Sequence, residues 1–124
     1  MVERVMLVDD DPAIQRVVSI LLLEAGYDLS VVDSGRKCLE DVRNGFKGLI
    51  LMDIMMPDLD GWDTIGVMVE EGLVDGVAIC LFSALHDMAP NDSNLERYII
   101  GRLPKPFTCD ELLNSVRECL VCMR

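Results

Sequence analysis

The feature that most constrains this chain is an unbroken apolar run, residues 49–52, that leads directly into Asp53. An apolar run of this length between turn residues is typical of a strand buried on both faces of a sheet. Pro57 and Gly61 follow within one short loop, so we expect the strand to end at Asp53. A carboxylate in that position lies at the carboxyl edge of the sheet, where open α/β folds bind ligands. Asp53 is therefore the first candidate for a functional residue.

Short apolar strands and helical patterns alternate along the whole chain. Strands are predicted at residues 4–8, 28–32, 48–52, 77–82 and 99–103. Helices are predicted to begin at capping residues and to follow each strand, at 12–25, 35–43, 61–71, 92–98 and 109–123. Because the connections are short, this alternation predicts an α/β fold with a parallel sheet covered by helices on both faces. We expect residues 1–124 to form one domain.

Composition excludes several classes of function. With 124 residues and 51% hydrophobic content, the chain can bury a sizeable core. Its net charge of -11 repels nucleic acids and anionic membranes, so neither is expected as a direct partner. No apolar run approaches the roughly 18 residues of a membrane span. Acidic residues 9–11 interrupt the first apolar stretch, so we expect no signal peptide and a cytoplasmic location.

Polar side chains follow every predicted strand, and in a parallel sheet these positions share one edge. They are Asp9 and Asp10, then Asp33 or Ser34, then Asp53, Ser83 and Lys105. Carboxylates crowded together repel one another, and an oxygen-binding divalent cation such as Mg²⁺ relieves that repulsion. A hydroxyl and an ammonium group can donate to an anion that the carboxylates alone would reject. The set is typical of a phosphoryl-transfer site in which a carboxylate is the nucleophile.

Four motifs carry a resemblance to a known family. They occupy residues 8–12 (VDDDP), 52–61 (MDIMMPDLDG), 82–84 (FSA) and 105–107 (KPF). In this order at strand ends, they resemble the response-regulator receiver domain, the phosphoacceptor module of two-component signalling. The resemblance runs from residue 5 to the last helix. It implies a flavodoxin-like, doubly wound sheet of five parallel strands in the order 2-1-3-4-5.

The resemblance also implies a metal-dependent phosphoacceptor. Asp53 would take the phosphoryl group from a phosphohistidine on a sensor histidine kinase or a phosphotransfer protein. Mg²⁺ would be held by Asp10 directly, by Asp9 through water, by Asp53 and by the backbone carbonyl of Met55. The protein would then act on a downstream protein target by changing its binding surface. It would promote its own phosphorylation and dephosphorylation without being a conventional enzyme.

The remaining implied roles concern the phosphoryl oxygens and the switch. Ser83 would donate a hydrogen bond to one oxygen and Lys105 would pair with another. The Lys105–Pro106 peptide bond is expected to be cis. Receivers usually carry an aromatic residue three positions before this lysine, where the present sequence has Arg102. We therefore predict intact phosphorylation chemistry with an altered readout, in which Ser83 and Arg102 form the switch.

Two other functional classes stay open. A phosphohydrolase resembling the haloacid-dehalogenase group would use Asp9 as its nucleophile, since Asp9 and Asp11 have the Asp-x-Asp spacing of that group. A pseudo-receiver would bind partners without being phosphorylated. Arg102 is compatible with that alternative, because it stands where receivers usually have an aromatic residue. Phosphorylation at Asp9 would favour the first class, and failure to bind Mg²⁺ would favour the second.

The cysteines are odd in number and lie within apolar patterns. Cys38, Cys80, Cys109, Cys119 and Cys122 are therefore predicted to be small buried hydrophobic residues. Cys119 and Cys122 have the Cys-x-x-Cys spacing of redox and zinc motifs. Without a second pair, and near the end of a terminal helix, that spacing is weak support for either function.

Overall fold

The computed structural model describes residues 3–84 and 92–123. Five parallel strands form one sheet in the order β2-β1-β3-β4-β5, which confirms the predicted topology. The strands are β1 (Arg4–Val8), β2 (Asp28–Val32), β3 (Gly48–Met52), β4 (Val77–Ser83) and β5 (Ile99–Pro104). The helices are α1 (Pro12–Glu24), α2 (Gly35–Arg43), α3 (Gly61–Glu70), a 3-10 helix (Ser93–Tyr98) and α4 (Cys109–Cys122). None of the described helices is long and apolar enough to span a membrane.

Capping side chains set where the helices begin. Asp11, Ser34 and Thr108 cap α1, α2 and α4 as the sequence predicts. Asp60, the acid just before Gly61 in the second motif, is also a capping residue. Its carboxylate accepts a hydrogen bond from the Asp63 backbone N–H at 2.8 Å, which makes Asp60 the N-cap of α3. The loop that carries Asp53 is therefore followed directly by a well-capped helix.

The two faces of the sheet pack into two separate hydrophobic clusters. Alternate strand residues point to opposite faces, so Met6 and Ile50 lie in one cluster while Leu7 and Leu51 lie in the other. Residues 49–52 of β3 are at most 2% exposed, as expected for a strand covered on both sides. This packing, with the pairing of β1 and β3, places the ends of the two strands beside each other.

Two predicted helix faces differ from the observed ones. The buried stripe of α4 consists of Leu112, Val116, Cys119 and Leu120. The helical spacing of the apolar residues predicts that Met123 continues that stripe, but Met123 is 36% exposed because it caps the helix beyond its last turn. In α1, Val17 is half exposed although its spacing placed it with the buried residues. The apolar face of α1 is wider than the surface that the sheet covers.

Candidate functional site

Asp9 and Asp53 lie beside each other because their strands are neighbours. Val8 of β1 is in register with Met52 of β3, and each is followed by one of the two acids. The Asp53 backbone N–H donates to the Val8 carbonyl oxygen at 3.0 Å. The hydrogen bonding between β1 and β3 therefore continues as far as Asp53. Both carboxylates therefore leave the carboxyl edge of the sheet at fixed positions, as the strand pattern predicted.

Three carboxylates converge at this edge. Oxygen atoms of Asp9, Asp10 and Asp53 all lie within 4.8 Å of one another. Asp9 is fully buried and Asp53 is 4% exposed, whereas Asp10 faces solvent. One Asp9 oxygen, Oδ1, accepts a hydrogen bond from the Asp11 backbone N–H at 2.8 Å. Three oxygen donors around one point, two of them buried, fit a hard divalent cation such as Mg²⁺.

Lys105 brings an ammonium group to both buried acids. Its Nζ lies 3.1 Å from Asp9 Oδ2 and 3.5 Å from Asp53 Oδ1. The Lys105 backbone N–H donates to the Ser83 carbonyl oxygen at 2.9 Å, which connects this residue to the end of β4. The Lys105–Pro106 peptide bond is cis, as predicted. The ion pair between Lys105 and Asp9 joins residues 96 positions apart in the chain.

The electrostatics of the site favour an additional cation. Burial raises the pKa of Asp53 to about 6, and the neighbouring Asp9 raises it as well, while Lys105 opposes the shift. Burial also raises the pKa of Asp9, against the hydrogen bond from the Asp11 backbone and the attraction of Lys105. One lysine thus compensates the buried negative charge only in part. Further positive charge at this point would favour the ionised form of both carboxyls.

Ser83 and Met55 lie at the same edge of the sheet in different surroundings. Ser83 is the last residue of β4 and is 2% exposed. It comes two positions after Leu81, which is in register with Met52 of β3. Met55 follows Asp53 in the loop and is 64% exposed. The roles of the Ser83 hydroxyl and the Met55 carbonyl stay predictions.

Asp33 and Ser34 do not join the site, although the strand pattern placed one of them at its edge. The Asp33 carboxylate pairs with Lys37 one helical turn later, at 3.1 Å, and both side chains are exposed. The Ser34 hydroxyl accepts a hydrogen bond from the Lys37 backbone N–H and caps α2. Both side chains are therefore engaged locally at the start of α2.

Two contacts around the site were missed by the sequence interpretation. The Gln15 side chain in α1 donates a hydrogen bond to the Asp9 carbonyl oxygen at 2.6 Å. At Gly61, a Cβ atom would lie 2.6 Å from the Asp53 carbonyl oxygen, so only glycine lets α3 begin this close to the phosphoacceptor candidate. In the sequence, this close approach could have been predicted from Gly61, which follows the capping residue Asp60 at the end of the second motif.

Arg102 lies on β5 and forms an ion pair with Glu96 of the 3-10 helix. Its side chain is about one-third exposed. The sequence predicted Arg102 as a switch residue without predicting this partner. Residues 85–91, which include Leu85 and His86, lie outside the described part of the chain.

An exchange of Arg102 for Ala is expected to cost little stability. Exposed ion pairs contribute at most about 1 kcal/mol, so R102A and E96Q should each lower the free energy of unfolding by less than that. Urea denaturation of the two variants measures this directly. A loss of several kcal/mol in R102A alone would show that the arginine stem, rather than the ion pair, supports β5.

Comparisons with known proteins agree with the geometry. Residues 5–117 match the family model of the response regulator receiver domain. The DNA-binding response regulator MtrA of Mycolicibacterium smegmatis is 32% identical over 118 residues, which are 95% of this chain and 50% of that protein. The chain spans about half the length of the curated relatives it matches.

Solved structures give the same result for the fold. A CheY-like response regulator receiver domain protein from Methanospirillum hungatei JF-1 superposes with a TM-score of 0.93 at 34% identity, covering 98% of this chain and 97% of that one. The chemotaxis protein CheY4 of Vibrio cholerae has a TM-score of 0.82 at 24% identity, covering 97% of this chain and all of the other. The second similarity supports the fold alone.

Proposed function

Since this chain belongs to the response regulator receiver family, we propose that Asp53 accepts a phosphoryl group from a phosphohistidine. The donor would be a sensor histidine kinase or a phosphotransfer protein. The observation that carries the proposal is Lys105 Nζ, which lies against the buried carboxylates of both Asp9 and Asp53. Receiver domains are signalling domains rather than conventional enzymes, and a change in protein binding is the proposed output.

The proposed reaction is an attack by an Asp53 carboxylate oxygen on phosphorus. The new O–P bond forms as the P–N bond to the donor histidine breaks, and the imidazole nitrogen leaves with the electron pair and takes up a proton. Lys105 offsets the negative charge that builds up on the phosphoryl oxygens, and the Ser83 hydroxyl donates to one of them. Mg²⁺, when held by Asp9, Asp10, Asp53 and the Met55 carbonyl, supplies further positive charge there.

An apolar surface beside Lys105 offers a place for the phosphoryl donor to bind. A cleft of about 390 Å³ between α1 and the start of α4 is lined by Ile14, Val17, Leu21, Phe107 and Leu112. A helical partner that buried these side chains would bring its phosphohistidine to the carboxyl edge of the sheet. We propose no direct nucleic-acid or membrane contact for this chain, whose net charge is -11, and the cytoplasmic location stays a prediction.

The proposal is tested by incubating the protein with acetyl phosphate, with and without Mg²⁺, and measuring intact mass. We expect one phosphoryl adduct that requires Mg²⁺ and is absent in D53N. The exposed acid Asp28 provides a matched control, since D28N makes the same charge change far from the site. No adduct under any condition would favour the pseudo-receiver.

The same experiment separates the phosphohydrolase alternative. An adduct that persists in D53N and disappears in D9N would move the nucleophile to Asp9. The Asp11 carboxylate, which that alternative needs as a partner, accepts a hydrogen bond from the Ala13 backbone N–H at 2.9 Å and caps α1. This second role of Asp11 favours Asp53 as the nucleophile.

The phosphorylated form is expected to be long-lived. The side chain two positions after Asp53 is that of Met55, which is exposed and has no group that could orient an attacking water. Leu85, two positions after Ser83, is also apolar in the sequence. We expect the adduct to outlast a desalting step of minutes. Loss within seconds, without a phosphatase, would contradict the prediction.

The altered-readout hypothesis has a separate test. If Arg102 takes the place of the usual switch aromatic, R102A should leave phosphorylation by acetyl phosphate unchanged and alter partner binding. Equal partner affinity of R102A and the unchanged protein, in both phosphorylation states, would overturn it. E96Q serves as the control that removes the ion pair while keeping the arginine.

A further inference from the structure

Gly101 lies in β5 in a backbone conformation that any residue could adopt. Its φ lies outside the positive range that side chains avoid, and it is in register with Cys80 of β4. A Cβ atom added at Gly101 would lie 2.6 Å from the Cys119 sulfur and 3.3 Å from the Cys80 sulfur. The first distance is far below any ordinary contact. The side-chain space of Gly101 is therefore filled by the sulfur of Cys119, which descends from α4 onto the sheet.

This arrangement brings two thiols from distant parts of the chain together. Cys80 is 1% exposed and Cys119 is 4% exposed, and both border the space above Gly101. The hydrogen bond between their sulfurs raises the pKa of Cys80, which burial raises further, and lowers the pKa of Cys119 against burial and the charge of Glu118. Cys119 is thus the more nucleophilic partner of the pair.

A surface cleft leads to Cys119. It has a volume of about 160 Å³, and Arg102, Cys119 and Cys122 contribute to its walls. The cleft brings a small neutral oxidant up to Cys119, although that residue is itself only 4% exposed. Cys80 lies behind it on the sheet, in the position of a resolving thiol.

We propose that Cys80 and Cys119 form a reversible disulfide when the protein is oxidised by hydrogen peroxide, linking β4 to α4 across Gly101. The Cys119 thiolate attacks one peroxide oxygen, the O–O bond breaks, and Cys119 becomes a sulfenic acid while water leaves after protonation. The Cys80 sulfur then attacks the Cys119 sulfur, the S–O bond breaks, and a second water leaves. Two thiols are oxidised by two electrons and one peroxide is reduced to two waters.

Other uses of these cysteines fit the structure less well. Among residues 3–84 and 92–123, the grouping able to supply three metal ligands is that of Asp9, Asp10 and Asp53, and it contains no thiol. Cys122 is exposed at the end of α4, outside the space that Cys80 and Cys119 share. The prediction that all five cysteines are buried is wrong for Cys109 and Cys122, because the ends of α4 face solvent.

The test is a thiol count on the intact protein. The reduced chain, unfolded in N-ethylmaleimide, should take up five labels, one for each cysteine. After treatment with hydrogen peroxide, we expect a species with two labels fewer, whose non-reducing peptide map joins Cys80 to Cys119. Dithiothreitol should restore the full count. The result does not depend on phosphorylation, so it can fail while the proposed function holds.

Variants separate the proposed bond from its alternatives. C80A and C119A should each abolish the species, whereas C109A should form it at the rate of the unchanged protein and C122A should still form it. G101A, which places a methyl group against the Cys119 sulfur, should slow its formation and provides a test that keeps both thiols. A mapped bond between Cys119 and Cys122, a bond between two chains, or oxidation confined to Cys109 and Cys122 would each overturn the proposal.

Discussion

Replacement of Lys105 by Gln is expected to slow phosphorylation of Asp53 by acetyl phosphate about 10²-fold to 10³-fold, the usual loss when one donor to developing oxyanion charge is removed. Lys105 Nζ lies within 3.5 Å of both buried carboxylates. Its removal takes away the cation that opposes the raised pKa of Asp53. The K105Q variant should therefore also need a higher pH than the unchanged protein to reach its maximal rate.

Lys37 provides the control for this variant. Its Nζ lies 3.1 Å from Asp33, the same separation as between Lys105 and Asp9, but both side chains are exposed. K37Q changes the net charge equally and should leave the rate within about twofold, since exposed pairs contribute little. Rates measured by intact mass at several pH values compare the two variants. Equal rates for K105Q and the unchanged protein would exclude a role for Lys105 in the transfer.

The position of Lys105 also shows which part of the site could be predicted. A parallel sheet gathers the ends of its strands on one edge, so apolar periodicity alone brought Asp9, Asp53, Ser83 and Lys105 to that edge. Periodicity does not give the order of the strands. The order came from the family resemblance. It does not decide which side chains past the two outer strands join the site: Lys105, past β5, reaches Asp53, whereas Asp33, past β2, pairs with Lys37 instead.

The contacts that sequence analysis missed depend on packing between distant elements. Periodicity could not have shown that the Cys119 sulfur fills the side-chain space of Gly101, because that contact depends on how closely α4 approaches β5. Glu96 could not be assigned to Arg102 before the 3-10 helix was placed against the sheet edge. Local signals such as Thr108 with Glu111 were predictable, since a capping box is formed within one turn.

The D53N variant should be more stable than the unchanged protein when no divalent cation is present. Burial raises the pKa of Asp53 from 3.8 to about 6, so the folded state binds this proton more tightly than the unfolded state. Proton binding at Asp53 stabilises the folded state. This stabilisation is complete below about pH 4 and is lost as the pH rises to about 6. At neutral pH the ionised carboxylate costs up to about 3 kcal/mol, from roughly 1.4 kcal/mol for each pKa unit. Asn has the same shape and carries no charge.

Urea unfolding across this pH range, with a chelator present, measures the difference between the two proteins. The free energy of unfolding of D53N should exceed that of the unchanged protein by an amount that grows from about pH 4 to about pH 6 and then stays constant. D28N should show no such pH-dependent difference. Mg²⁺ should narrow the gap at neutral pH, because a cation bound to the folded state stabilises the unchanged protein more than D53N. Parallel pH profiles for D53N and the unchanged protein would show that Asp53 is not the carboxyl that carries the buried charge. A gap that Mg²⁺ leaves unchanged would place the cation away from Asp53 and would remove the electrostatic reason for ionising the phosphoacceptor at neutral pH.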